Sequence, residues 1–125
     1  MCKGTSLQAH LSLATSDGSN EVTYLLADPV EIASFDKVRV SWNLFDTTGL
    51  MDVQPVVLYG QEPLDIVAAA TFGTADNATG LHVSDLETPD GTYRFASYGL
   101  RVTKHATGSP LTVESGTAWA QVEFR

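Results

Sequence analysis

The chain has 125 residues, which is enough for one folded domain that buries about two thirds of its unfolded surface without disulfides. Fifteen acidic residues against seven basic ones give a net charge of −8, so a nucleic-acid backbone would be repelled. Cys2 is the only cysteine, which excludes a disulfide-rich scaffold. We expect a single domain over residues 1–125, with residues 1–5 as a flexible N-terminal segment and no nucleic-acid partner.

Nothing in the sequence indicates export or insertion into a membrane. The N-terminal residues lack the apolar stretch of a signal peptide. The longest nearly apolar run, residues 66–70, is too short to span a bilayer. We therefore expect a protein made in the cytosol without a membrane partner.

Alternation of apolar and polar residues with a period of two predicts strands along the first half of the chain. Pro29 interrupts the second strand, because proline cannot donate a hydrogen bond to a sheet. Residues 45–49 have the length of a hairpin loop, so the strands on either side of them are predicted to pair. The predicted strands cover residues 6–14, 21–27, 30–32, 36–44 and 50–59.

The second half of the chain carries a weaker pattern. Residues 64–69 fit either a strand or one helical turn, and residues 74–80 have the composition of a loop. After Asp90 and Gly91 the alternation returns as a pair of strands, with Gly99 as a candidate β-bulge. The remaining predicted strands cover residues 92–96, 98–104, 111–114 and 118–124.

The pattern as a whole predicts an all-β protein. Many short strands follow one another with turns between them, and no segment has the periodicity of an amphipathic helix. Such a chain forms an antiparallel β-sandwich or a small barrel. We favour the β-sandwich, with the jelly roll as one form that it can take.

No motif with a catalytic mechanism is present in the sequence. His10, His82 and His105 have no nucleophile motif such as Gly-x-Ser-x-Gly to serve, and no His or Cys pair has zinc-ligand spacing. Phosphate-binding, dinucleotide, flavin and haem signatures are also missing. We therefore predict a protein that is not an enzyme and has no cofactor and no metal site.

Calcium binding by oxygen atoms of two loops remains an alternative. Asp17, Asn20 and Glu21 gather in one loop, and Asp76 and Asn77 in another. Neither cluster has EF-hand spacing, and such clusters are more often ordinary turns.

Two apolar features suit contact with another protein. Trp42 shares the inward register of its strand and is predicted to lie in the core, whereas Trp119 stands on the polar face of the last strand. In the strand over residues 50–59 both faces are largely apolar, so we expect both to be covered, one of them by a partner. The interface candidates are Leu50, Val56, Leu58 and Trp119.

The segments VRVSWNLFDTTG at 38–49, DVQPV at 52–56, YGLRV at 98–102 and AWAQVEFR at 118–125 resemble small β-sandwich structural proteins of tailed bacteriophages. The resemblance implies a virion component, such as a capsid decoration protein or a minor tail protein. It implies partners that are protein subunits of a capsid or tail lattice, and assembly in the host cytoplasm. Together with the apolar strand, it favours a homo-oligomer.

A carbohydrate-binding β-sandwich module is the alternative function. In that class, exposed aromatic rings stack on sugar rings. Trp119 would be the platform, with Tyr59 and Tyr98 as further candidates where their strands break. This alternative predicts saturable glycan binding that is lost in Trp119→Ala.

Overall fold

The computed structural model describes residues 6–14, 21–26, 28–48, 51–72, 80–104 and 115–125. Nine strands and one 3-10 turn, Ile32–Ser34, form within this part of the chain. The strands are β1 Ser6–Ala14, β2 Glu21–Leu25, β3 Val30–Glu31, β4 Val38–Thr48, β5 Met51–Gly60, β6 Ile66–Thr71, β7 Gly80–Val83, β8 Phe95–Lys104 and β9 Ser115–Phe124.

The described strands form two antiparallel sheets. The first sheet has the order β1-β9-β4-β7, and the second has the order β2-β8-β5-β6, with β3 also paired to β8. The pairs are nested along the chain: β1 with β9, β2 with β8, β4 with β7, and β5 with β6. Nested pairing across two sheets is the jelly-roll arrangement, so the predicted all-β sandwich is confirmed in that form.

Alternate residues of the strands meet between the two sheets and form one apolar core. Phe35 packs at the edge of this core, with its ring edge-on to Phe124 at a centroid distance of 4.8 Å. Removing these side chains from water supplies the main driving force for folding, at about 25 cal/mol per Å² of apolar surface. The inward residues predicted from β4 and β9 are all buried: Val38, Val40, Trp42, Leu44, Ala118, Ala120, Val122 and Phe124.

The predicted hairpin around residues 45–49 is wrong. β4 continues to Thr48, and β5 then lies in the other sheet. β4 pairs with β7 and β9, whereas β5 pairs with β6 and β8. The alternation of a strand decides which of its faces is buried, but it does not decide which strand lies beside it.

Gly99 lies inside one continuous strand and not at a bulge between two. It pairs in register with Leu25 on one side and Val56 on the other. A Cβ atom at Gly99 would lie 2.2 Å from the carbonyl oxygen of Tyr24. Glycine is therefore required there by the close approach of β2 and not by a turn.

The remaining strand boundaries depart from the predictions at the ends of elements. The segment 64–69 is resolved as a strand, Ile66–Thr71, and not as a helical turn. The alternation does not predict β7, because four residues are too few to establish a period. The second strand ends at Leu25, and Ile32 begins the 3-10 turn instead of extending β3. Residues 1–5 and 111–114 lie outside the described residues.

Candidate interaction surface

The outer face of the first sheet is built from rows of side chains that cross its four strands. Each row takes one residue from β1, β9, β4 and β7, in that order. The first row is His10, Trp119, Asn43 and Leu81. The second row is Gln8, Gln121, Ser41 and Val83. Small or polar residues of β4 therefore separate the aromatic ring on β9 from the apolar residues on β7.

A groove of about 400 Å³ follows from this arrangement. The exposed fraction of the residue is 38% for Trp119, 68% for Leu81 and 54% for Val83. Exposed apolar side chains that line a common groove are typical of surfaces that bind a partner. We call this surface the groove face; its lining residues are Arg39, Ser41, Leu81, Val83, Trp119, Gln121 and Glu123.

An ion-pair cluster lies at one end of the groove face. The guanidinium groups of Arg39 and Arg125 each donate a hydrogen bond of 2.9 Å to the same Oε1 atom of Glu123. The hydrogen bond from Arg125, helped by the positive charge of both arginines, holds the pKa of Glu123 below its usual value. Two guanidinium groups on one carboxylate leave a net positive charge in this cluster, on a chain whose net charge is −8.

The outer face of the second sheet is different, because its centre is already covered. Val56 has no exposed surface and lies outside the core between the sheets, and Ser97 on the neighbouring strand is 1% exposed. The outward side of β5 is therefore covered at Val56 by the chain itself, whereas we expected a partner to cover it. As placed here, Val56 offers no surface to a partner, whereas Leu58 is half-buried. Leu50 lies outside the described residues.

The two tryptophans lie where the alternation predicts. Trp42 is 3% exposed in the core, and Trp119 is on the surface. Tyr59 and Tyr98 are 8% and 4% exposed, so neither ring is available as a platform for a sugar. Burial raises the pKa of both tyrosine hydroxyls, and the nearby Tyr59 raises that of Tyr98 further.

The described histidines, for which the sequence shows no catalytic motif, occupy unrelated places. His10 lies beside Trp119 on the outer face of the first sheet. His82 points to the inner side of β7, where its ring stacks on Trp42 at a centroid distance of 5.3 Å. His105 lies outside the described residues. The structure therefore brings neither described histidine together with the other.

The described part of the chain has neither a cluster of metal-ligating side chains nor a membrane-spanning helix. There, no three His, Cys, Asp or Glu side chains gather closely enough to hold a metal ion. The calcium candidates Asp17, Asn20, Asp76 and Asn77, and the side chain of Glu21, lie outside the described part. Among the described residues, no helix is long and apolar enough to cross a membrane.

Leu81 and Val83 are the apolar groove residues that the sequence pattern missed. Both lie on β7, which pairs with β4 at the edge of the first sheet. The only local signal is the short alternation of Leu81, His82 and Val83, which becomes informative once the partner strand is known.

No protein-family model and no curated protein matches this chain. Solved structures do match it. A point mutant of the VP2 protein of infectious bursal disease virus, in T=1 particles, aligns with a TM-score of 0.57 and 11% identity over 95% of this chain and 31% of that chain. T=1 particles derived from the same virus give a TM-score of 0.55 with 7% identity, and its VP2 subviral particle gives 0.53 with 8%, each over 95% of this chain and 32% of that chain.

The fold is shared with virus-particle proteins. At these identities the likeness shows the fold alone, and this chain spans about a third of the length of the solved chains that it matches. In fold, the likeness agrees with the β-sandwich that the resemblance to viral structural proteins implies. These three structures are not of a tailed bacteriophage, so that origin stays a prediction.

Proposed function

We propose that this protein is a non-enzymatic structural component of a virus particle and that it binds other protein subunits through the groove face. The observation that carries the proposal is the exposed set of Trp119, Leu81 and Val83 around one groove of a jelly-roll sandwich. Tryptophan and arginine are enriched at the hot spots of protein interfaces, and Trp119 and Arg39 both line this groove. The shared fold with virus-particle proteins supports a particle as the setting.

The finer assignment that we propose is a capsid decoration protein of a tailed bacteriophage, assembled in the host cytoplasm in many copies. Support for it comes from the resemblance of the segments at 38–49, 52–56, 98–102 and 118–125. The negative net charge keeps such a subunit soluble at high concentration before assembly.

Quantitative mass spectrometry of virus particles purified from the natural source tests the proposed function. We expect the chain to be present at a copy number comparable with that of the major shell subunit. Particles made with the Trp119→Ala form should lack the chain, although the variant is folded by circular dichroism. Absence of the wild-type chain from the particles would overturn the proposal.

A carbohydrate-binding module is the second candidate. Trp119 supports it, because its partly exposed ring lines the same groove as the polar side chains of Gln121 and Arg39. Saturable glycan binding in isothermal titration, lost in Trp119→Ala but kept in Leu81→Ser, would favour this candidate. Equal loss in both variants would show that the glycan needs the whole groove, and absence of saturable glycan binding by the wild type would rule this candidate out.

A further inference from the structure

The turn between β5 and β6 is closed by hydrogen bonds and exposes the side chain of Leu64 to solvent. The Asp65 N–H donates to the Glu62 carbonyl oxygen at 3.1 Å and closes a β-turn with Pro63 at its second position, where the fixed φ of proline fits. Gln61 Nε2 anchors the turn by donating to the Thr92 carbonyl oxygen at 2.8 Å. Leu64, at the tip of the turn, is fully exposed. The turn therefore presents a preorganised apolar knob.

Acidic side chains stand next to this knob. Glu62 and Asp65 are both exposed and flank Leu64 within the same turn. A single exposed leucine is common on protein surfaces and by itself indicates nothing. Leu64 becomes informative because a second surface of the same molecule has a groove for an apolar side chain and carries arginines.

The groove face is this second surface. The apolar part of its lining, formed by Leu81, Val83 and Trp119, would accept a leucine side chain. The cluster at one end carries Arg39 and Arg125 against a single carboxylate, so it attracts an acidic partner. An acidic turn with an apolar tip matches this groove in both polarity and charge.

We propose that Leu64 of one copy of this chain inserts into the groove face of the next copy, with Glu62 and Asp65 directed towards the arginine cluster. The contact that we propose is head-to-tail, so each copy can bind two neighbours, one through its knob and one through its groove. Such a contact builds rings or extended arrays and not a closed pair. The inference rests on the proposed function and names its partner as a second copy.

A mixing experiment tests this contact. Leu64→Ser removes the knob and keeps the groove, whereas Leu81→Ser damages the groove and keeps the knob. Both side chains are exposed, so both variants should fold like the wild type in circular dichroism. In sedimentation velocity the wild type should form species larger than dimers, and each variant alone should associate at least about tenfold more weakly. An equimolar mixture should form dimers and stop there, because one functional knob meets one functional groove.

Leu25→Ser is the matched control, because Leu25 is exposed on β2 of the other sheet. It should assemble like the wild type. A wild type that stays monomeric, or a Leu64→Ser variant that assembles like the wild type, would overturn the inference. The proposed function fails on a different result, namely absence of the chain from virus particles.

Discussion

The outer faces of the two sheets look alike in the sequence but differ in the structure. On the first sheet, Trp119 and Leu81 stand in solvent around a groove. On the second sheet, Val56 points away from the core in the same way but has no exposed surface. Both Trp119 and Val56 interrupt the expected pattern of an outward face, yet only the first remains available to a partner. An outward apolar residue is thus an interface residue only where nothing in its own chain covers it.

The largest effect is expected from a charge at the covered face. Val56→Asp should lower the free energy of unfolding by about 4 kcal/mol or more, because a carboxylate would be buried without a partner. Leu81→Asp on the exposed face should change it by less than about 1 kcal/mol, since the aspartate stays in water. Urea denaturation of both variants measures the difference. Equal destabilisation would show that the two faces are equally buried.

A smaller effect is expected at the centre of the second sheet. Gly99→Ala should cost about 1–3 kcal/mol, because its Cβ would lie 2.2 Å from the Tyr24 carbonyl oxygen and push β2 away. Gly91→Ala is the control and should stay within about 0.5 kcal/mol, since nothing lies within 4 Å of the added atom. Thermal unfolding of both variants checks this. An unchanged melting temperature for Gly99→Ala would contradict the close packing of β2 on β8.

The smallest effect concerns the arginine cluster of the groove face. The folded-state pKa of Glu123 is lowered, so its ionised form stabilises the fold above its unfolded pKa. That contribution disappears as the pH falls through the lowered folded pKa. The stability of the wild type should therefore exceed that of Glu123→Gln at pH 7, and the two should converge in acid. Because the pair is exposed to solvent, added salt should shrink the difference; a difference that grows in acid would contradict the pairing.

The sequence predicts much of the fold because side-chain alternation is a local property. β1 matches its predicted range, and Val122 and Phe124 are inward as predicted from β9 alone. The partner of a strand is not a local property, because a jelly roll pairs strands that are far apart in the chain. The predicted hairpin at 45–49 is wrong for this reason.

Trp119 was predictable at the groove because it breaks the polar pattern of its own strand. Leu81 and Val83 were not, since their role depends on the pairing of β7 with β4. Val56 shows the same limit from the other side, because its outward register is visible in the sequence but its burial is not. The pattern of single strands therefore predicts part of the candidate site, and the rest can be predicted only once the pairing of the strands is known.

The central claim is that the groove face binds protein subunits through Trp119, and self-association of the purified chain tests it most directly for a second copy of the chain. Light scattering after size exclusion, over a series of concentrations, should give the wild type an average mass well above one chain and Trp119→Ala a mass close to one chain. Folded Trp119→Ala protein that associates as strongly as the wild type would contradict the claim.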